Sequence, residues 1–355
     1  MNEDSKLHIS KGVDNAPSLN PRLTPRRTHQ PSLEELTAGV QAGDHAVLAQ
    51  AITLVESTVA EDVHMAHELL QSVGGQNTNS YRIGVSGVPG VGKSTFLEAM
   101  GMHLLTTQEN ARIAVLAVDP SSSRSKGSIL GDKTRMAELG RHKHAFIRPT
   151  AAGQTLGGVA RATKQAMLLC EAAGFTHIFV ETVGVGQSET AVAELVDAFL
   201  FLSMPGTGDE LQGMKRGIME MADIIAINKA EGELRTLAER SAAEIRNALN
   251  WLGTRQMDWH PPVLLISALQ KSGLQELLET LERFRRHSKA QGWWDEKRRQ
   301  QNLHWFEQSA RELLWNELVR NPNWSEAYTA IRYQVVEGTM SPFQASEALL
   351  RLARS

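Results

Sequence analysis

The sequence predicts an α/β fold, a mostly parallel sheet covered by helices on both faces, and three observations predict it. From about residue 80 to 290, short apolar runs alternate with longer segments of helical period. One junction between such a run and a helix reads Gly87-Val88-Pro89-Gly90-Val91-Gly92-Lys93-Ser94, a complete G-x-x-x-x-G-K-[ST] phosphate loop. Several other runs end in polar residues, as expected where ligands bind off the carboxyl ends of parallel strands.

Residues 1–31 are polar, contain Pro17, Pro21, Pro25 and Pro31, and have no apolar period, so a disordered leader is expected there. Ser32 with Glu35 forms a capping-box signature, and Val47, Leu48, Ala51, Ile52 and Val55 repeat at helical spacing. Residues 32–79 therefore read as an N-terminal helical layer. The strands expected in the nucleotide domain, residues 80–290, are Arg82–Ser86, Ile113–Val118, Ala145–Arg148, His177–Val180, Ala198–Ser203, Ile224–Ile227 and Val263–Ile266. Beyond residue 290 the pattern turns helical, with a stripe of Leu303, Phe306, Ala310, Leu313, Leu314 and Leu318. Ser341-Pro342-Phe343-Gln344 marks a further helix start. Trp293, Trp294, Trp305, Trp315 and Trp324 give this region much apolar surface to bury.

Composition narrows the function classes. The formal charge of −3 carries no basic excess to suggest a nucleic-acid partner. The single cysteine, Cys170, lies in an apolar run and reads as a packed core thiol; it excludes an intrachain disulfide and any multi-cysteine metal site. No apolar run reaches a membrane span of about 18 residues and no signal-peptide core is present, so a cytoplasmic location without a membrane partner is expected.

The phosphate loop carries the chemistry. Backbone N–H groups of Gly87, Val88, Gly90, Val91 and Gly92 and of Lys93, Ser94 and Thr95, with Pro89 shaping the loop between them, can wrap phosphate oxygens at a helix N-terminus, Lys93 can reach the β/γ oxygens, and Ser94 offers a hydroxyl to Mg²⁺. Asp119 and Glu181 each end an apolar strand, where an acid can hold Mg²⁺ through one of its waters. Glu181-Thr182-Val183-Gly184 resembles the D-x-x-G switch of GTPases with Glu for Asp, and there the Gly184 N–H can sense the γ-phosphate. Asn228-Lys229-Ala230-Glu231 resembles the guanine-reading N-K-x-D motif, again with Glu for Asp. Ser267-Ala268-Leu269 matches the element whose backbone supports the base. The segment Asp119–Lys133 is placed to act as a first switch over the γ-phosphate. Val185 stands where a Ras-like switch has its water-orienting glutamine, which predicts slow intrinsic hydrolysis. Gln187 substitutes only if the Gly184–Gly186 segment folds it inward.

Taken with Asp119-Pro120-Ser121-Ser122, Gly127–Met136, Glu181–Glu189 and Asn228-Lys229, the loop resembles the MeaB/ArgK family of P-loop GTPases from about residue 35 to the C-terminus. The resemblance implies GTP/GDP and Mg²⁺ as cofactors and an adenosylcobalamin-dependent acyl-CoA mutase, such as methylmalonyl-CoA mutase, as partner. The chain would protect that enzyme and gate its cofactor loading. It also implies that Gly206–Lys215 is an additional switch, in which Lys215 and Arg216 can supply charge to the site, and that residues 291–355 form a homodimer interface. The catalytic set so expected is Lys93, Asp119, Glu181, Gln187 and Lys215. An older family label describes a kinase linked to amino-acid transport, but no separate acceptor site for a phosphoryl group is legible. A nickel-handling GTPase chaperone should carry a Cys/His cluster, and a protein-targeting GTPase a methionine-rich or basic RNA-binding attachment.

Overall fold

The computed structural model describes residues 31–74, 79–119, 136–151, 156–182, 188–206, 216–251 and 258–354. The expected leader lies almost wholly outside them. The helical layer consists of α1 (Leu33–Gln41), α2 (His45–Glu56) and α3 (Ala60–Val73). At α1 the capping box forms: Glu35 N–H donates to Ser32 Oγ at 3.2 Å, and Ser32 N–H to Glu35 Oε2 at 2.8 Å. Asp44 caps α2 through the N–H groups of Ala46 and Val47.

The sheet has seven parallel strands, β1 (Tyr81–Gly87), β2 (Ile113–Asp119), β3 (Ala145–Ala151), β4 (His177–Thr182), β5 (Ala198–Ser203), β6 (Ile224–Ile227) and β7 (Val263–Leu265). Their order is β3-β2-β4-β1-β5-β6-β7, so β1 lies between β4 and β5. The register pairs Ile83 with Phe179 on one side and Gly84 with Phe199 on the other. Each expected strand is present, within one or two residues at most ends.

Alternate residues of these strands enter two cores. Tyr81, Ile83 and Val85 pack with α4 (Lys93–Thr107) and α9 (Leu274–Ala290). Ile178, Val180, Phe199 and Phe201 pack on the other face, under α5 (Leu156–Ala172), α6 (Ser188–Leu195) and α8 (Arg235–Trp251), where α1, α2 and α3 join them. A sheet buried on both faces explains why the strands read as continuous apolar runs. A short helix, α7 (Arg216–Met221), precedes β6.

The chain ends in α10 (Trp293–Arg320), α11 (Pro322–Val336) and α12 (Pro342–Arg354). Asn321 caps α11 and Pro322 occupies its first turn, while Ser341 and Gln344 exchange the two bonds of a capping box at α12. Trp294 is not part of a separable appendage: it is buried in the same core as β1, α4 and α9. By contrast Leu303, Phe306, Leu313 and Leu314, four members of the expected stripe, are each more than half exposed.

Candidate nucleotide site

The site begins where β1 runs out. At Gly87 a β-carbon would fall on the Leu202 carbonyl oxygen of neighbouring β5, so the strand ends with no room for a side chain. Gly90 and Gly92 have φ of +77° and +92°, a region that costs other L-residues strain. Gly92 directly precedes α4, and the loop thus delivers its chain to the amino end of a helix, where N–H groups lack intrahelical acceptors. Val88 and Val91 are buried and anchor the loop, whereas Pro89 and Gly90 are exposed.

Lys93 folds back over this loop, its Nζ donating to the Gly87 carbonyl at 2.8 Å and facing that of Val88 at 3.5 Å. Burial lowers the pKa of the ammonium, and the carboxylates of Glu181 and Glu189 oppose that shift. Ser94 is half-buried and Thr95 exposed on the first turn of α4. Glu181, at the end of β4, is 4% exposed. Below it the Thr182 hydroxyl donates to Ser86 Oγ at 2.9 Å and ties β4 to β1.

Glu189 is an acid to which no sequence motif assigned a role. It sits on the first turn of α6, is 1% exposed, and contributes to the field at Lys93. The available signal was a second carboxylate in the run that begins at Glu181. Asp119 closes β2 beside β4, with only its backbone described. Gly184, Val185, Gln187 and Lys215 lie outside the described residues, as do most of the two further switch segments.

The third wall comes from the loops after β6 and β7. Asn228, almost fully buried, donates from Nδ2 to the Val91 carbonyl at 2.8 Å and accepts at Oδ1 from Ala268 N–H at 2.9 Å. It thereby holds the phosphate loop against the base-side loops. Lys229 adopts φ +63°, which turns the chain sharply after β6. Glu231 is half-buried in an extended conformation, and its Oε2 is buried with no hydrogen-bond partner. Ser267 accepts from Gln270 N–H at 2.9 Å, closing the turn that presents Ala268, while Leu269 is 75% exposed at the rim.

The arrangement is suited to phosphate at one end and to a paired N–H edge at the other. Ser94 and Glu181 supply hydroxyl and carboxylate oxygens, the donors that a hard divalent cation takes. Elsewhere, Cys170 is fully buried and its thiol pKa is raised by burial. His142 and His144 are half-buried, with ring centroids 5.7 Å apart. No group of three His, Cys, Asp or Glu that could hold a metal ion occurs among the described residues. No helix among them is long and apolar enough to cross a membrane.

Comparison with known proteins agrees with this geometry. Residues 48–323 match the family described as methylmalonyl Co-A mutase-associated GTPase MeaB. A probable GTPase of Mycobacterium tuberculosis is 46% identical over 91% of this chain and 95% of its own length. The mitochondrial methylmalonic aciduria type A homolog of Mus musculus is 43% identical over 91% of this chain and 80% of its own. A crystal structure of a LAO/AO transport system kinase superposes with a TM-score of 0.68 at 36% identity, covering 91% and 98% of the two chains. The chain belongs to the MeaB family of P-loop GTPases.

Proposed function

We propose that this GTPase is a GTP-dependent chaperone of an adenosylcobalamin-dependent acyl-CoA mutase, protecting the enzyme and gating its cofactor loading. The observation that carries the reading is the match of most of the chain to a family described by its association with methylmalonyl-CoA mutase. The likeness to a transport-system kinase supports the same fold, and nothing among the described residues of the site favours phosphoryl transfer to a second substrate over transfer to water.

In this reading residues 80–290 bind the nucleotide. Lys93 leaves the Gly87 carbonyl and moves its ammonium to the β/γ oxygens, while N–H groups of the phosphate loop and of the α4 amino end hold the phosphates. Mg²⁺, when bound, would neutralise charge on the β/γ oxygens, and Ser94, Asp119 and Glu181 are the residues that would hold it, directly or through water. Glu231 accepts two N–H groups of the guanine edge, and its buried, unpartnered Oε2 supports this assignment. The extra methylene relative to Asp requires the Glu231 carboxylate to draw back or its loop to shift. Gly184 senses the γ-phosphate, and Gln187 and Lys215 complete the catalytic set. The exposed stripe on α10 supports a homodimer built by residues 291–355, and a cytoplasmic location belongs to the same proposal.

The test is direct. Addition of a purified acyl-CoA mutase of this class should accelerate GTP hydrolysis, and the same mutase should change GTP affinity by the factor by which GTP changes affinity for the mutase. A mutase that leaves both quantities unaltered removes the chaperone reading and leaves a GTPase of another client.

A further inference from the structure

The opposite end of the sheet holds a second cluster of charge. Arg82 of β1 is bidentate on Glu171, with Nε to Oε1 and a terminal nitrogen to Oε2, each at 2.8 Å. Arg298 of α10 is bidentate on Asp197, at 2.8 and 2.7 Å. Ser80 Oγ also donates to Glu171, and the Arg82 N–H to Asp197. Every carboxylate oxygen of these two acids is thus engaged.

Lys164 enters this cluster from α5 with nothing left to bond. It is 5% exposed and its Nζ has no hydrogen-bond acceptor. The charged groups around it are Arg82, Glu171, Arg298 and Asp197, two of each sign, with both acids already committed to the guanidiniums. Burial, then the Arg82 charge, pushes its pKa down to about 7. A buried ammonium without an acceptor is costly.

Beside the cluster opens a pocket of about 710 Å³, a size that suits a small organic ligand. Arg82, Lys289, Arg298 and Arg299 line it together with the amides of Asn79 and Asn302, against Glu171 and Asp295 as its acids. Cations also crowd a single buried ring here: Arg285, Lys289 and Arg298 lie 5.4, 4.9 and 4.7 Å from the Trp294 indole centroid. Arg285 Nε is buried with no acceptor. Donors exceed acceptors on the walls, and like charges are held close.

We propose that this pocket is a second ligand site, remote from the nucleotide site, that takes a small molecule through a carboxylate or phosphate group. Its oxyanion would pair with Lys289 and with the pocket-facing edges of Arg82, Arg298 and Arg299, and four cations against two acids on the walls select it against cations. The seven residues of β1 separate it from the phosphate loop by about 20 Å at roughly 3.3 Å per residue.

The experiment uses the full chain saturated with Mg²⁺ and GDP, so that the phosphate loop is filled, and titrates it calorimetrically with inorganic phosphate and separately with malonate. Saturable binding of either is expected, at least about fivefold weaker in Lys289→Ala and in Arg299→Ala, with basal GTP hydrolysis unchanged in Lys289→Ala. Binding of phosphate alone identifies a phosphorylated ligand, and of malonate alone a carboxylic acid. Lys289 is exposed, so its variant tests the site without risk to the core. Absence of saturable binding, a response that chloride reproduces at equal ionic strength, or affinity unaltered in both variants overturns the proposal.

Discussion

The two ends of β1 solve opposite problems. At Gly87 the strand meets a loop that holds its shape through glycine conformations and through one bracket, Asn228, and it keeps polar atoms uncommitted: Glu231 Oε2 is buried without a partner. At Arg82, near the start of the same strand, side chains are paired to each other across the fold, Arg82 to Glu171 and Arg298 to Asp197. The carboxyl end stores unmet hydrogen-bonding capacity for a ligand; the amino end commits most of its capacity to joining β1, α5, the α6–β5 turn and α10. Substitutions at the amino end should therefore cost stability and those at the carboxyl end function.

The largest effect should come from breaking that division at the amino end. Glu171→Ala leaves the Arg82 guanidinium buried without its bidentate partner and is expected to cost about 3–5 kcal/mol of stability. Denaturant unfolding measures it, while turnover per folded molecule stays near wild type. A loss of turnover without a loss of stability would show that the two ends are not divided in this way.

Lys93→Ala tests the other half. Removing the ammonium from the β/γ oxygens should lower kcat for GTP by about 10²–10³-fold, or about 2.7–4 kcal/mol, the range for one preorganised donor to developing charge. The melting temperature should fall less than in Glu171→Ala, because the direct bonds of Lys93 are to two loop carbonyls and the buried Glu181 and Glu189 lose only its field. Near wild-type turnover would remove the phosphate loop from the chemistry.

The smallest expected effect sharpens the comparison within the nucleotide end. Glu231→Ala should erode the preference for GTP over ATP by about 1–3 kcal/mol, the cost of a lost buried polar partner, and Glu231→Asp should retain it. Equilibrium binding of both nucleotides to each variant decides this. An unchanged GTP/ATP ratio in Glu231→Ala would assign base selection to other groups.

Much of the fold was legible because its signals are local. The strands announced themselves as apolar runs, the capping boxes at Ser32 and Ser341 by residues three apart, and the phosphate loop by eight consecutive positions. Candidate site residues at strand ends were legible for the same reason, since the carboxyl edge of a parallel sheet gathers the loops that leave its strands. Glu189, though part of the Glu181–Glu189 signature, received no role of its own because an acid on the first turn of a helix ordinarily faces water and interacts with the helix dipole, and nothing local distinguishes a buried one. The stripe on α10 was visible as a period, but period alone did not say whether it covers the nucleotide domain; four of its residues face outward.

By itself the sequence determined the order of elements, the parallel sheet and the motif that brings phosphate chemistry to the end of β1. These arise from the periods of helix and strand and from the conformational freedom of glycine, which act over a few residues. Only the tertiary structure decided that Asn228 braces Val91 across 137 positions, that Glu171 answers Arg82 across 89, and that Trp294 belongs to the core of the nucleotide domain. Such pairings depend on which elements the sheet order brings together, and neither partner carries a trace of the other in its own neighbourhood of the chain.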